Sequence, residues 1–222
     1  LINYLPLNVG TFFKASALKK MKIKYAHFIS ISSVVILVTL IASSLIGAVT
    51  LITSPLDFIF NHIYLFPFFF IVLLLSLAML LIPSSWFVKP KNKLLIIISD
   101  YLDGVEQIIK KPKIVILISI FVTTRLFLIS IIIYICFSGL GTEISILGSI
   151  FVATATSLLM IVNITPGGLG IRELIIGAIS VSTGGTFEVG VLASAIMRGC
   201  SLIIHVLFGI PSLIYLKTLK II

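Results

Sequence analysis

The sequence predicts an all-α fold, a polytopic transmembrane helical bundle with re-entrant or broken helices and one cytoplasmic amphipathic helix. Three observations predict it. Of the 222 residues, 59% are hydrophobic and only 10% charged, whereas a soluble domain carries roughly 25% charged residues. All the lysines fall in four short segments flanking apolar runs, residues 14–24, 89–93, 110–113 and 217–220. Finally, the stretch Asn163-Ile-Thr-Pro-Gly-Gly-Leu-Gly-Ile-Arg-Glu173 sets helix breakers and charges inside apolar sequence.

The lysine map orders the chain. Cytoplasmic loops of membrane proteins are enriched in Lys and Arg, so residues 14–24, 83–113 and 217–222 are expected inside. The lysine-free turns 54–62, 138–143 and 184–188 are expected outside. The net charge of +9 could suggest nucleic acid, but its position at the ends of apolar runs assigns it to an anionic leaflet instead. No nucleic-acid partner is expected. No linker, low-complexity tract or composition shift divides the chain, so one domain over residues 1–222 is expected. The chain opens on Leu1, within apolar sequence, and is read as lacking an amino-terminal portion.

Residues 1–13 are too short to span and hold Pro6 and Gly10, so they form a candidate re-entrant hairpin. His27 to Thr53 is long enough to cross about 30 Å of hydrocarbon at about 1.5 Å per residue, and Ile63 to Ile82 returns. Over 94–111, apolar Leu94, Leu95, Ile98, Tyr101, Leu102, Val105, Ile108 and Ile109 recur every three or four residues. Asp100, Asp103, Glu106 and Lys110 take the other face. This is the amphipathic helix, placed on the cytoplasmic interface or, alternatively, against a soluble partner domain. Ile114 to Phe137 spans next, with Arg125 at its middle, and Ile144 to about Asn163 follows.

The 163–173 stretch then forces a turn. Pro166 removes a backbone donor and disfavours helix at Thr165, while Gly167, Gly168 and Gly170 admit positive φ and close backbone approach. Irregular backbone survives at membrane depth only where protein buries it or a wet cavity faces it. Only Ile171 to Thr183 remains before the next turn, about 20 Å of helix, too short to cross. Val189 to Leu216 nevertheless ends at cytoplasmic lysines. Both conditions hold if the glycine turn lies within the membrane. Asn3-x-x-Pro6-x-x-x-Gly10 matches Asn163-x-x-Pro166-x-x-x-Gly170 at an offset of 160 residues, so a second re-entrant turn is expected near the amino terminus.

Ser138-Gly-Leu-Gly-Thr-Glu-Ile, then Pro166-Gly-Gly-Leu-Gly-Ile-Arg-Glu173, then a helix carrying Arg198 together resemble the lysylphosphatidylglycerol synthase transmembrane region, also called the flippase-like domain family. The resemblance covers most of the chain and is most specific at residues 138–173. It implies an integral membrane protein that moves or supplies lipid-linked substrates. The sequence departs from the family in its amino-terminal hairpin, where Leu7 replaces a glycine and Thr11 an acid, leaving Lys14 in the basic place. In the first span, Ser33-Val34 stands where relatives often carry an acidic-basic pair. The soluble catalytic domain of the lysyl-transferring relatives has no room in this chain.

The only arginines are Arg125, Arg172 and Arg198. All three fall in predicted intramembrane positions, where each costs about 2.5–3.5 kcal/mol at the centre of an isolated helix. Two readings compensate Arg172 and Arg198. Either they face a polar cavity and hold a phosphate or other anion, joined by Glu173, Lys14 and the free N–H groups that open the 171–183 helix, or Arg198 or Arg125 pairs with Glu173 and fixes helix packing. Gly199, beside Arg198, is expected to allow close helix approach. Cys136 and Cys200 are read as packing residues. No nucleotide loop, paired carboxylates, Ser/His/Asp set or His/Cys metal spacing is present, so neither catalysis nor a cofactor or metal is expected.

The expected function is translocation or presentation of an anionic phospholipid or polyprenyl-linked lipid across the cytoplasmic membrane. The alternative is a noncatalytic scaffold that docks a cytoplasmic transferase on the 94–111 helix.

Overall fold

The computed structural model describes residues 25–55, 65–81, 93–159 and 170–218, and all regular structure among them is helical. The helices are α1 (Tyr25–Thr53), α2 (Leu65–Leu81), α3 (Lys93–Ile109), α4 (Pro112–Gly139), α5 (Ile146–Leu159), α6 (Ile171–Ser182) and α7 (Phe187–Thr218). Each expected helical segment is present within a few residues of its expected ends. Three contain stretches long and apolar enough to cross a membrane, Phe28–Thr53, Pro112–Gly139 and Phe187–Ile204. Although the sequence offers no boundary, packing divides the chain into two compact units, Ile23–Phe127 and one built on Leu128–Ile222. Each has its own apolar core.

The surface is inverted relative to a soluble protein. Ile120, Phe121, Leu128, Ile131 and Ile135 of α4 are exposed, while Ser43, Thr50, Ser76, Ser130, Thr154 and Ser180 are buried. Lipid tails solvate the first group as well as a protein core would, and the second must find partners inside. Many hydroxyls bond back to their own helix, as in Thr39 to the Val35 carbonyl, Ser76 to Val72, Thr156 to Val152 and Ser157 to Ala153. That pattern lets these residues line helix contacts without an orphaned donor, whereas the buried Ser43, Ser44 and Ser194 hydroxyls have no hydrogen-bond partner among the described residues.

In the Ile23–Phe127 unit, α1 packs on α2 and α3. A Cβ on Gly47 would stand 2.5 Å from Phe69 Cε1, so the glycine of α1 makes room for the buried ring of α2. The apolar face of α3, expected at the cytoplasmic interface or against a soluble partner domain, packs in part within the unit itself. Val105 and Ile108 join Val34 and Val38 of α1 and Val122 and Leu126 of α4 in one core. Ser30 Oγ also donates to the Tyr101 carbonyl at 3.0 Å. The reason is local. Lys110 and Lys111 form only a tight turn before α4 begins at Pro112, so the stripe folds back on the nearest apolar helices. Asp103, Gln107 and Lys110 stay exposed, with Glu106 and Lys110 paired at 2.7 Å.

In the Leu128–Ile222 unit, two turns reverse the chain through left-handed glycines. At Gly141 (φ 76°), Thr142 N–H donates to the Phe137 carbonyl and Gly141 N–H to Ser138, the paired bonds of a Schellman end. At Gly184 (φ 95°), Gly185 N–H donates to the Ser180 carbonyl at 2.9 Å. The turns abut, since a Cβ on Gly185 would stand 3.4 Å from Thr142 Cγ2 and one on Gly184 3.9 Å from the Glu143 carbonyl oxygen. Ile133, Phe137, Val152, Ala153, Ile176, Ala193 and Met197 fill the core beneath them.

Helices α6 and α7 touch backbone to backbone. A Cβ on Gly190 would lie 2.7 Å from Gly177 Cα and 2.7 Å from the Ile176 carbonyl oxygen. Gly199, expected to make such an approach, would meet nothing within 4 Å. Nine residues at about 100° each put it on the face of α7 opposite Gly190.

Two expectations follow. Gly190→Leu should destabilise the protein by about 1–3 kcal/mol or more, because rigid backbone cannot yield to the new side chain, whereas Gly199→Ala should stay within about 0.5 kcal/mol. Thermal unfolding in detergent reads both. Because the two turns abut, cysteines at Thr142 and Thr186, in a background lacking Cys136 and Cys200, should react with a membrane-impermeant maleimide from the same side. Labelling from opposite sides would refute the shared end.

Candidate functional site

The site is built on the α6–α7 hairpin. Gly170 precedes α6 at φ 82°, a conformation that favours glycine. It carries no side chain to cap the helix, and Glu173 compensates by turning back. Its Oε2 accepts the Gly170 N–H at 2.8 Å, the reciprocal half of a capping box. Its carboxylate also sits on the electropositive first turn of α6, which favours a negative charge.

The other carboxylate oxygen, Oε1, lies 3.0 Å from Arg198 Nη2 on α7. Backbone contact at Gly177 and Gly190 fixes how the two reach each other. Glu173 lies four residues, about 6 Å, beyond Gly177, and Arg198 eight residues, about 12 Å, beyond Gly190 in the same direction along the antiparallel pair. Long helical side chains lean toward their own amino terminus. Glu173 therefore leans outward, Arg198 leans back, and their ends meet between. The side chains are 18% and 12% exposed, low enough that the ion pair is not a solvated surface contact.

Arg198 stands eleven residues from Phe187, about 16 Å along α7, well inside the candidate span Phe187–Ile204. The ion pair expected as one of two readings of Arg198 is thus formed. Arg172, next to Glu173, is half-buried on the first turn of α6, and Arg125 is exposed on α4. Asn3, Pro6, Gly10 and Lys14, and Asn163, Pro166, Gly167 and Gly168 of the glycine turn, lie outside the described residues.

Sequence reading missed Gly177, Ser180 and Gly190, which position the pair. The signal was available. Gly177-x-x-Ser180 and Gly190-x-x-x-Ser194 are small residues at helical spacing, the pattern that lets membrane helices approach closely.

Among the described residues, all-helical regular structure, an inverted surface, three helices able to cross a bilayer and an ion pair made from within one of them to its neighbour define an integral membrane protein. The chain belongs to the family described as the lysylphosphatidylglycerol synthase TM region, whose match runs over residues 1–209. No curated protein and no solved structure matches it.

Removing one partner should be costly. Arg198→Ala, which strands the Glu173 carboxylate, should destabilise the protein by about 3 kcal/mol. The exchange Arg198→Glu with Glu173→Arg should recover only part of that, since arginine has no acceptor for the Gly170 N–H. Unfolding midpoints of the two variants in one detergent check the order.

Proposed function

We propose that this protein translocates or presents an anionic lipid or lipid-linked substrate in the cytoplasmic membrane, as a multi-pass, nonenzymatic, flippase-like component. The observation that carries the reading is Arg198, held by Glu173 about 16 Å along a membrane-crossing helix. Along α6 and the Phe187–Ile204 span of α7, Arg172 and Arg198 stand against Glu173, because Glu188 only opens α7. Formal positive charge therefore exceeds negative within this hairpin, which favours an anionic guest.

The length of α6 supports a broken-helix architecture. Its 12 residues make about 18 Å of helix, short of the about 30 Å hydrocarbon core. With the 183–186 turn outside, Gly170 begins α6 at depth, as a broken helix requires. The phosphate of a phospholipid or polyprenyl-linked lipid suits a guanidinium fork. The scaffold alternative relied on α3 as a docking face, and the apolar Val105 and Ile108 of that helix are already covered by α1 and α4.

Reconstitution tests the proposal. Liposomes containing the protein should pass labelled phosphatidylglycerol-type or polyprenyl-linked headgroups between leaflets. Arg198→Lys, which keeps the charge but loses the fork, should slow passage about tenfold with little change in unfolding midpoint. No passage of either lipid, together with a transferase co-purifying from the native membrane, would overturn it.

A further inference from the structure

Glu173 is the one carboxylate that α6 presents, and its two oxygens serve different masters. Oε2 holds the start of α6 through the Gly170 N–H, and Oε1 holds Arg198 on α7. Each bond is made by a single oxygen, so one can be given up without the other. A phosphate oxygen has the same charge and acceptor character as Oε1 and suits a guanidinium at least as well. We infer that Glu173 is a displaceable internal counter-ion, occupying on Arg198 the place that the phosphate group of an anionic ligand takes, so that ligand binding and the Glu173–Arg198 ion pair are mutually exclusive.

This deepens the proposed function and rests on it for the ligand's chemical class. The exchange explains how a cation persists at depth between substrates. A bare guanidinium in hydrocarbon is costly, and a permanently filled one could not take a guest. A carboxylate tethered through its other oxygen to the helix start stays nearby when displaced and returns when the site empties. It also sets specificity. A zwitterionic or neutral headgroup gains too little on Arg198 to displace the carboxylate, whereas a net anion replaces charge with charge. Glu173 is thus a positioning and specificity-determining residue whose presence weakens binding.

The distinguishing experiment is an equilibrium titration of detergent-solubilised full chain with short-chain phosphatidylglycerol, and in parallel with short-chain phosphatidylcholine and free glycerol phosphate. Glu173→Gln keeps an acceptor for the Gly170 N–H but gives up the charge that competes for Arg198. It should tighten phosphatidylglycerol binding about tenfold, within the about 5–150-fold range usual for coupled sites, and leave phosphatidylcholine unchanged. Adding Arg198→Gln should abolish the gain. If Glu173→Gln does not fold, Glu173→Asp, one methylene shorter, should tighten binding in the same direction by a smaller factor. Strengthening of phosphatidylglycerol alone assigns the anion to a lipid, and strengthening of glycerol phosphate alone assigns it to a free phosphate ester. Unchanged or weaker binding of both by a folded Glu173 variant overturns the inference. Loss of liposome translocation with the Glu173 effect intact would remove the proposed function and leave the counter-ion exchange standing.

Discussion

The Glu173 carboxylate is the group on which the Leu128–Ile222 unit depends, because hydrocarbon offers neither water for a charge nor a donor for a cut helix end. One side chain answers both needs, bonding the Gly170 N–H where no capping side chain exists and neutralising Arg198 across the hairpin. Pairing inside a membrane compensates a desolvation cost that neither ion could bear alone. The geometry that permits it is set elsewhere, by the absence of side chains at Gly177 and Gly190.

The Ile23–Phe127 unit solves a different problem with the same constraint. An amphipathic helix carries an apolar stripe that must be covered by lipid, a partner or its own chain. Here the short Lys110-Lys111 turn folds it back onto α1 and α4, and the polar side retains Asp103, Gln107 and Lys110. The Ser30 hydroxyl donating to the Tyr101 carbonyl adds a polar fastening at the edge of that apolar contact. The exposed side chains described on α3, Asp103 and Gln107, and Lys110 just after it are polar or charged, so any partner reaching them meets a polar surface.

Small residues recur wherever helices meet closely. Gly47 accepts the Phe69 ring, Gly148 faces Thr183, and Gly177 faces Phe187 and Val191. Lipid tails are as apolar as leucine, so helices in a bilayer gain little from merely hiding leucines and associate through close packing and hydrogen bonds. The buried serines and threonines belong to the same logic. They occupy little volume, and Thr50, Ser76, Thr154, Thr156 and Ser157 satisfy themselves on carbonyls of their own helices, whereas the Ser43, Ser44 and Ser194 hydroxyls have no hydrogen-bond partner among the described residues.

The sequence by itself determined the class of fold, the number and order of the described helices, and the turns. Hydropathy, lysine placement and glycine punctuation are local signals, and local backbone rules act on them directly. It also confined the intramembrane charges to three arginines and one glutamate and named the Glu173–Arg198 pair as one of two readings. Only tertiary structure decided that Arg198 meets Glu173, that Glu173 also holds Gly170, and that the close approach falls at Gly190 rather than Gly199. Those outcomes depend on which faces of α6 and α7 come together, and a one-dimensional pattern contains that rotation only once the partner's small residues are placed opposite. The covering of α3 was decided the same way, since a stripe read from sequence states what must be buried and not against what.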